Sequence, residues 1–241
     1  MNSLARAAKR PHNHAVIRLY SDQRFELGAV VPLPPEEIRY LRTVRRGSNQ
    51  AQLFNRAGQL AQVTIEENLA RIERIEQNPW PVHPLRVAVG LPEPSVAKQL
   101  IASLSELGVT ELSFFKADRS QADLSRLPSE DKRDRLAIEA ARQCERPVPL
   151  HITTVGFESL LADFSVTSTL VLDEQPDAGA SPVDQQVNLL LIGPEGGWSP
   201  RERDAFAAVL MPRLHLPTPI LRVATAAVAA TSWCLAHRSV P

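Results

Sequence analysis

The chain has 241 residues, 44% of them apolar, and its 27 Lys/Arg are balanced by 27 Asp/Glu. That is enough for one large core or two modest ones; the composition excludes a disordered chain, and no run of 18 apolar residues offers a membrane-spanning helix. Two well-separated cysteines, Cys144 and Cys234, exclude a disulfide framework and predict two small buried residues in a reducing compartment, and the histidines show no zinc-like spacing with cysteine, so no metal is expected.

The first residues, MNSLARAAKRPHNHA, are basic but lack the apolar segment of a secretory signal. Residues 1–14 are expected to form a disordered arm. Residues 1–80 carry 12 Lys/Arg against 8 Asp/Glu, and the remainder 15 against 19. The basic part is a candidate partner for a polyanion, the alternative being a plain solvated surface. IRLY, residues 17–20, reads as a strand. PPEEIRYLRTVRR reads as a helix, with Pro35 and the acidic pair suited to a first turn. Ile38, Leu41 and Val44 fall on its inner face; Arg39, Arg42 and Arg46 line another, with Arg45 nearby. AQLFN and LAQVTIEE read as strands around a turn at Arg56-Ala57-Gly58. The expectation for residues 15–77 is a small β-rich domain carrying one basic helix. NPWPVHP, residues 78–84, has three prolines in seven residues and reads as a stiff linker.

Beyond it, residues 85–241 alternate strand and helix: LRVAVGL, then SVAKQLIASLSEL ended by Gly108, ELSFF, then a helix opened by Ser129. PLHITTV, FESLLADF, STLVLDE and VNLLLIG follow, then a helix from Ser199, the strand RLHL and the alanine-rich ATAAVAATSWCLA. Continuous apolar strands separated by helices predict an α/β fold with a parallel sheet covered on both faces. Ligands bind such sheets beyond the carboxyl ends of the strands.

One strand ends there in Gly193-Pro194-Glu195-Gly196-Gly197, and Ser199-Pro200-Arg201-Glu202 has the form of a capping box with proline at the first helical position. The glycines let backbone approach a ligand closely. The pattern is not a phosphate cradle, and Glu195 suits a cationic or hydroxyl-bearing ligand. Further on, Pro217 and Pro219 stiffen a loop, Arg222 precedes a helix, and Thr225 is a plausible cap. An arginine gains nothing from a helix N-terminus, so its partner is a substrate base, a phosphate or Glu195.

LLIGPEGGWSPRE and ILRVATAAVAA together resemble the ribosomal small-subunit RNA uridine-N3 methyltransferase family of the SPOUT superfamily. SELGV (105–109), AIEAARQCERPVPLHI and the basic helix YLRTVRR resemble further segments of that family in the same order. The chain departs from the pattern at Pro217 and Pro219, where the family carries glycine and arginine, and at Ala224, where it carries glutamate. It departs also at Tyr40, at Glu145 and around Glu93-Pro94.

The resemblance implies a C-terminal trefoil-knot domain and a small N-terminal PUA-like β-barrel. It implies a cytoplasmic homodimer acting on 16S ribosomal RNA or the small ribosomal subunit, with S-adenosylmethionine as cofactor. The cofactor would be held by three loops: at Leu172; at Ile192, Gly193, Pro194, Glu195, Gly196 and Gly197; and at Leu216, Pro219, Ile220 and Leu221, with Thr225 and Ala226 behind them. Arg39, Arg42, Arg45 and Arg46 would grip RNA. N3 of uracil must lose its proton as O2 and O4 gain negative charge, which a fixed cation stabilises. Arg222 is expected in that role, with Arg119 or Arg146 supplied by the partner subunit. Glu195 is then a proton acceptor or, by preference, the group that holds Arg222. The alternatives are an RNA-binding dimer with weak or lost catalysis and a different acceptor nucleotide. Trp233 is either core or part of the dimer contact.

Overall fold

The computed structural model describes residues 17–44, 49–76, 78, 84–162, 168–175 and 187–237. The expected arm (1–14), most of the linker, and Arg45 and Arg46 lie outside the described residues. The chain divides into two compact units, residues 1–78 and 79–241.

The first unit is a five-stranded mixed sheet ordered β1-β3-β4-β5-β2. Its strands are β1 (Arg18–Tyr20), β2 (Val30–Pro32), β3 (Gln50–Phe54), β4 (Leu60–Glu66) and β5 (Leu69–Glu76). β1 runs parallel to β3 and the other pairs are antiparallel. β1 and β2 stand at its two edges, so over the described residues the curled sheet forms half of the expected barrel. Helix α1 (Pro35–Val44) buries Leu41 against the core of this unit, with Ile38 partly buried beside it. Glu36 and Glu37 occupy its first turn, where carboxylates oppose the positive end of the helix dipole.

The second unit is a six-stranded, all-parallel sheet ordered β11-β9-β10-β6-β7-β8. The strands are β6 (Arg86–Gly90), β7 (Glu111–Phe115), β8 (His151–Val155), β9 (Thr169–Leu172), β10 (Leu189–Ile192) and β11 (Arg213–Leu214). The side-chain alternation of strands splits the core in two. Val87, Val89, Leu190 and Ile192 pack with helices α2 (Pro94–Glu106), α3 (Glu130–Gln143) and α6 (Val223–Ala236). Ala88, Leu189 and Leu191 pack on the other face with α4 (Phe157–Ala162) and α5 (Pro200–Ala208). Both faces of the parallel sheet are covered, as the apolar strand pattern predicts.

Local signals explain the helix ends. Pro94 opens α2, and Gly108 closes it at φ +77°, its N–H bonded to the Ser105 carbonyl and that of Val109 to the Leu104 carbonyl, the pairing of a Schellman cap. Ser129 precedes α3 without a side-chain cap bond. Two readings need correction. RLHL is a strand only through Leu214, and His215 and Leu216 leave the sheet. Thr225 is not the cap of α6: Arg222 holds that position, extended at ψ 151°, and the helix starts at Val223.

Candidate active site

β10 is buried along its whole length and ends at Ile192. The chain then turns sharply, Gly197 donating its N–H to the Pro194 carbonyl at 2.9 Å. Close approach decides the residue types here. A Cβ on Gly90, at the end of β6, would stand 2.6 Å from Pro194 Cδ, and one on Gly193 would stand 3.2 Å from the Trp198 ring. Gly197 has φ +66°, which favours glycine, and a Cβ there would stand 2.9 Å from Glu174 Oε1, so that carboxylate would have to move. Trp198 lies beneath the turn, 2% exposed, and donates its indole N–H to the Leu172 carbonyl at 2.8 Å. That bond ties the end of β9 to the end of β10.

Charged groups fasten the same loops from behind. The Asp173 carboxylate is fully buried and receives Arg203 Nε at 3.1 Å and Nη2 at 3.0 Å. Arg213 Nη1 stands 3.6 Å away, and Arg203 Nη1 also donates to the Trp198 carbonyl at 2.7 Å. The Asp173 carboxylate raises the Arg203 pKa above its ordinary value, as hydrogen bonds to the charged form do. The capping box is complete: Glu202 N–H donates to Ser199 Oγ at 3.1 Å, and Ser199 N–H donates to Glu202 Oε2 at 2.8 Å. Glu202 is wholly buried, and its second oxygen accepts the Asp118 N–H at 2.9 Å. Asp118 accepts from Arg201 at 2.7 Å and 3.0 Å and from Ser199 Oγ at 2.5 Å. The Arg201 bonds, and then that of Ser199, hold its carboxyl down at about 2.

The loops after β9, β10 and β11 meet around one open cleft of about 110 Å³. Leu172, Ile192, Gly193, Pro194 and Gly197 line it from two of the loops. Leu216, Pro219, Ile220, Leu221 and Ala226 line it from the third and from α6. Each of these ten was a candidate cofactor residue. Glu195, Gly196 and Thr225 are not in this lining; Glu195 and Gly196 are exposed at the tip of the turn. Residues the sequence reasoning missed are Asp173 and Glu174, Trp198, His215, Thr218 and Val223. STLVLDE read as strand to its end, whereas β9 stops at Leu172 and frees Asp173 and Glu174 to the loop.

A second hollow adjoins the cleft and shares Glu174, Pro194, Ile220, Leu221 and Val223 with it. Glu195, Arg222 and Thr225 belong to this hollow, with Val96 and Gln99 of α2. Glu195 does not hold Arg222: its carboxylate accepts the Glu93 N–H at 3.4 Å, and among the described residues no ion pair joins it to Arg222. Arg222 forms no side-chain cap bond and is exposed.

Of the arginines assigned to RNA, Arg39 and Arg42 are exposed on α1. Arg119 lies over the turn and donates to the Gly196 carbonyl at 3.2 Å. Arg146 is less available: it is partly buried, donates to the Ser105 carbonyl at 3.1 Å, and burial lowers its pKa from the ordinary value. Cys234 is buried, but Cys144 is only partly so, with its thiol 3.8 Å from the same carbonyl; neither is in a disulfide. Among the described residues no group of three or more His, Cys, Asp or Glu is placed to hold a metal ion, and no helix is long and apolar enough to cross a membrane.

Comparison with known proteins agrees with this architecture. A ribosomal RNA small subunit methyltransferase E from Synechocystis is 30% identical over 163 residues, 63% of this chain, so the match spans only 52% of that protein. The protein of the same name from Treponema pallidum is 26% identical over 70% of this chain and 68% of its own length. The crystal structure of a ribosomal RNA small subunit methyltransferase E from Neisseria gonorrhoeae, bound to S-adenosyl methionine, has the same fold. Its TM-score is 0.77 at 20% identity, covering 90% of this chain and 96% of the other. Residues 78–235 match the profile of the RNA methyltransferase domain; this match takes in more than half of the chain, which therefore belongs to that family.

Proposed function

We propose that the protein is an S-adenosylmethionine-dependent methyltransferase acting on N3 of a uridine in 16S ribosomal RNA. The observation carrying this reading is the convergence of the loops after β9, β10 and β11 on one cleft. Its residues fit the donor. Leu172, Ile192 and Leu216 offer apolar surface to an adenine ring, the Gly193–Gly197 turn brings main chain close, and the Glu174 carboxylate complements a positive sulfonium. When bound, that group supplies an electrophilic methyl.

The chain's own residues do the rest. Arg222 stands in the adjoining hollow, where its guanidinium stabilises the charge that builds on uracil O2 or O4. Glu195, in the same hollow and not paired with Arg222, takes the N3 proton. We assign RNA gripping to the first unit, read as PUA-like, through Arg39 and Arg42. Such phosphate contacts position RNA without reading sequence and weaken as salt rises. The C-terminal segment is proposed to form a trefoil knot. β11 is the sheet edge, yet the following helix α6 packs back on β10 and α2. The enzyme acts as a cytoplasmic homodimer, and the Trp233–His237 stack of α6, ring centroids 4.1 Å apart, is the flank offered to the second copy.

One observation favours the competing reading, an RNA-binding dimer with weak or lost catalysis. Pro217 and Pro219 carry no N–H, and the Thr218 N–H is turned back onto the Leu216 carbonyl at 2.7 Å. The third loop thus has fewer main-chain donors for a cofactor. Calorimetry with S-adenosylmethionine separates the two readings. Nucleoside mass spectrometry of 16S ribosomal RNA from a strain lacking the protein tests the acceptor: 3-methyluridine should disappear. Unchanged 3-methyluridine refutes the assignment, and loss of another methylated nucleoside reassigns the base.

A further inference from the structure

The hollow beside the cleft has a chemistry of its own. Its apolar surface comes from Val96 and from Ile220, which is 88% exposed although it stands on the wall shared with the cleft. The Ile220 side chain lies on the ridge between the two concave sites and offers apolar surface to a flat partner there. The polar surface comes from Gln99, Thr225 and Arg222. Gln99 is exposed on α2, and its carboxamide makes no hydrogen bond to the other described residues. The first turn of α6 adds main-chain donors, because Ala226 is the first residue of that helix to bond back, to the Arg222 carbonyl at 2.8 Å. The lining therefore offers carbonyl-seeking donors on one wall and an adaptable amide on the other.

Charge narrows the occupant. Among the described lining residues, Glu174 and Glu195 face the hollow against one cation, Arg222. A phosphate would meet two carboxylates there and is disfavoured. A neutral, planar heterocycle with ring carbonyls meets no such penalty, and its oxygens find Arg222, Thr225 and the α6 N–H groups.

We propose that this hollow seats the acceptor base and that Gln99 is a specificity-determining residue that hydrogen-bonds its edge. The inference rests on the methyl-transfer reading for the identity of the base. The geometry supports it in one further respect: the wall formed by Ile220, Leu221 and Val223 belongs to both concavities, so a base in one adjoins a donor in the other. The base must leave its stack to enter, as in other enzymes that act on single bases.

The test uses the full-length protein and a uridine-containing RNA carrying 4-thiouridine at single positions. Photo-crosslinks are expected in the peptides that hold Val96–Gln99 or Ile220–Thr225. Gln99→Ala, on an exposed helical position that tolerates alanine, should leave the calorimetric affinity for S-adenosylmethionine within about twofold. It should lower both the crosslink yield and kcat/KM for RNA about tenfold, the worth of one hydrogen bond at the upper end of its range. Gln99→Glu, which loses the amide donor, should be as impaired. Crosslinks confined to other peptides, or a Gln99→Ala protein with unchanged kcat/KM, overturn the proposal. If the wild-type protein transfers no methyl group, the methylation reading fails alone, and the crosslink positions still decide where the base sits.

Discussion

Removing the Asp173 carboxylate is the sharpest test of how the cleft is held. The group is fully buried, bonded twice by Arg203 at 3.0 and 3.1 Å, with Arg213 at 3.6 Å. In Asp173→Ala, Arg203, whose side chain is 13% exposed, keeps the Trp198 carbonyl at 2.7 Å and Glu174 at 3.4 Å. One buried charge is then left undercompensated, at about 3–5 kcal/mol. Arg203→Met removes both short bonds but leaves Arg213 3.6 Å from the carboxylate, so its loss should be smaller. The double variant leaves neither stranded, so its loss should fall at least ~2 kcal/mol short of the sum of the singles. Urea unfolding read by tryptophan fluorescence measures all three, since Trp198 lies against Arg203. In the folded Asp173→Ala protein the loop after β9 loses its anchor, and affinity for S-adenosylmethionine should fall about tenfold. Strict additivity of the single losses, or an Asp173→Ala loss below ~1 kcal/mol, would show that this pair does not hold the loop.

Other outcomes follow from the same geometry. Gly197→Ala forces a side chain into φ +66° and to 2.9 Å from Glu174 Oε1, so it should cost about 1–2 kcal/mol by backbone strain alone and weaken cofactor binding, read by thermal unfolding and calorimetry. Ser199→Ala removes the acceptor of the Glu202 N–H and a donor to Asp118; about 1 kcal/mol should be lost, seen as a lower urea midpoint. The Asp118 carboxyl lies at about 2 in the fold against an ordinary 3.8. Its stabilisation is therefore full above 3.8 and fades as pH falls through 2. Asp118→Asn should flatten urea midpoints across that window, by a small amount because Arg201 is largely exposed. Arg222→Ala should lower kcat about a hundredfold with S-adenosylmethionine affinity within about twofold; a normal rate would remove Arg222 from the chemistry.

Much of the second unit was legible because its signals are local. The box at Ser199–Glu202, the stop at Gly108 and the continuous apolar strands each state their conformation within a few residues. What escaped depended on distant partners. β5 went unread because Arg71, Glu73, Arg74 and Glu76 mask its alternation, and because the chain reverses before it at Glu67, φ +54°, without a glycine. Asp173 looked like the polar end of a strand; only the fold brings Arg203, thirty residues on, to its carboxylate. Thr225 looked like a cap because threonine favours that place, but α6 begins at Val223, whose side chain is buried in the core. Glu195 and Arg222 are brought to one hollow, as their motifs suggested, but not into an ion pair.

The cleft owes much of its outline to peptide planes, fixed by Gly90, Gly193 and Gly197 and by the indole of Trp198. A surface of that kind changes little when side chains are exchanged around it, so drift in the lining alters shape less than drift in an ordinary pocket. For inhibitor chemistry the deep end would look alike in any protein built this way, and discrimination would have to come from groups reaching His215, Thr218 and Ile220.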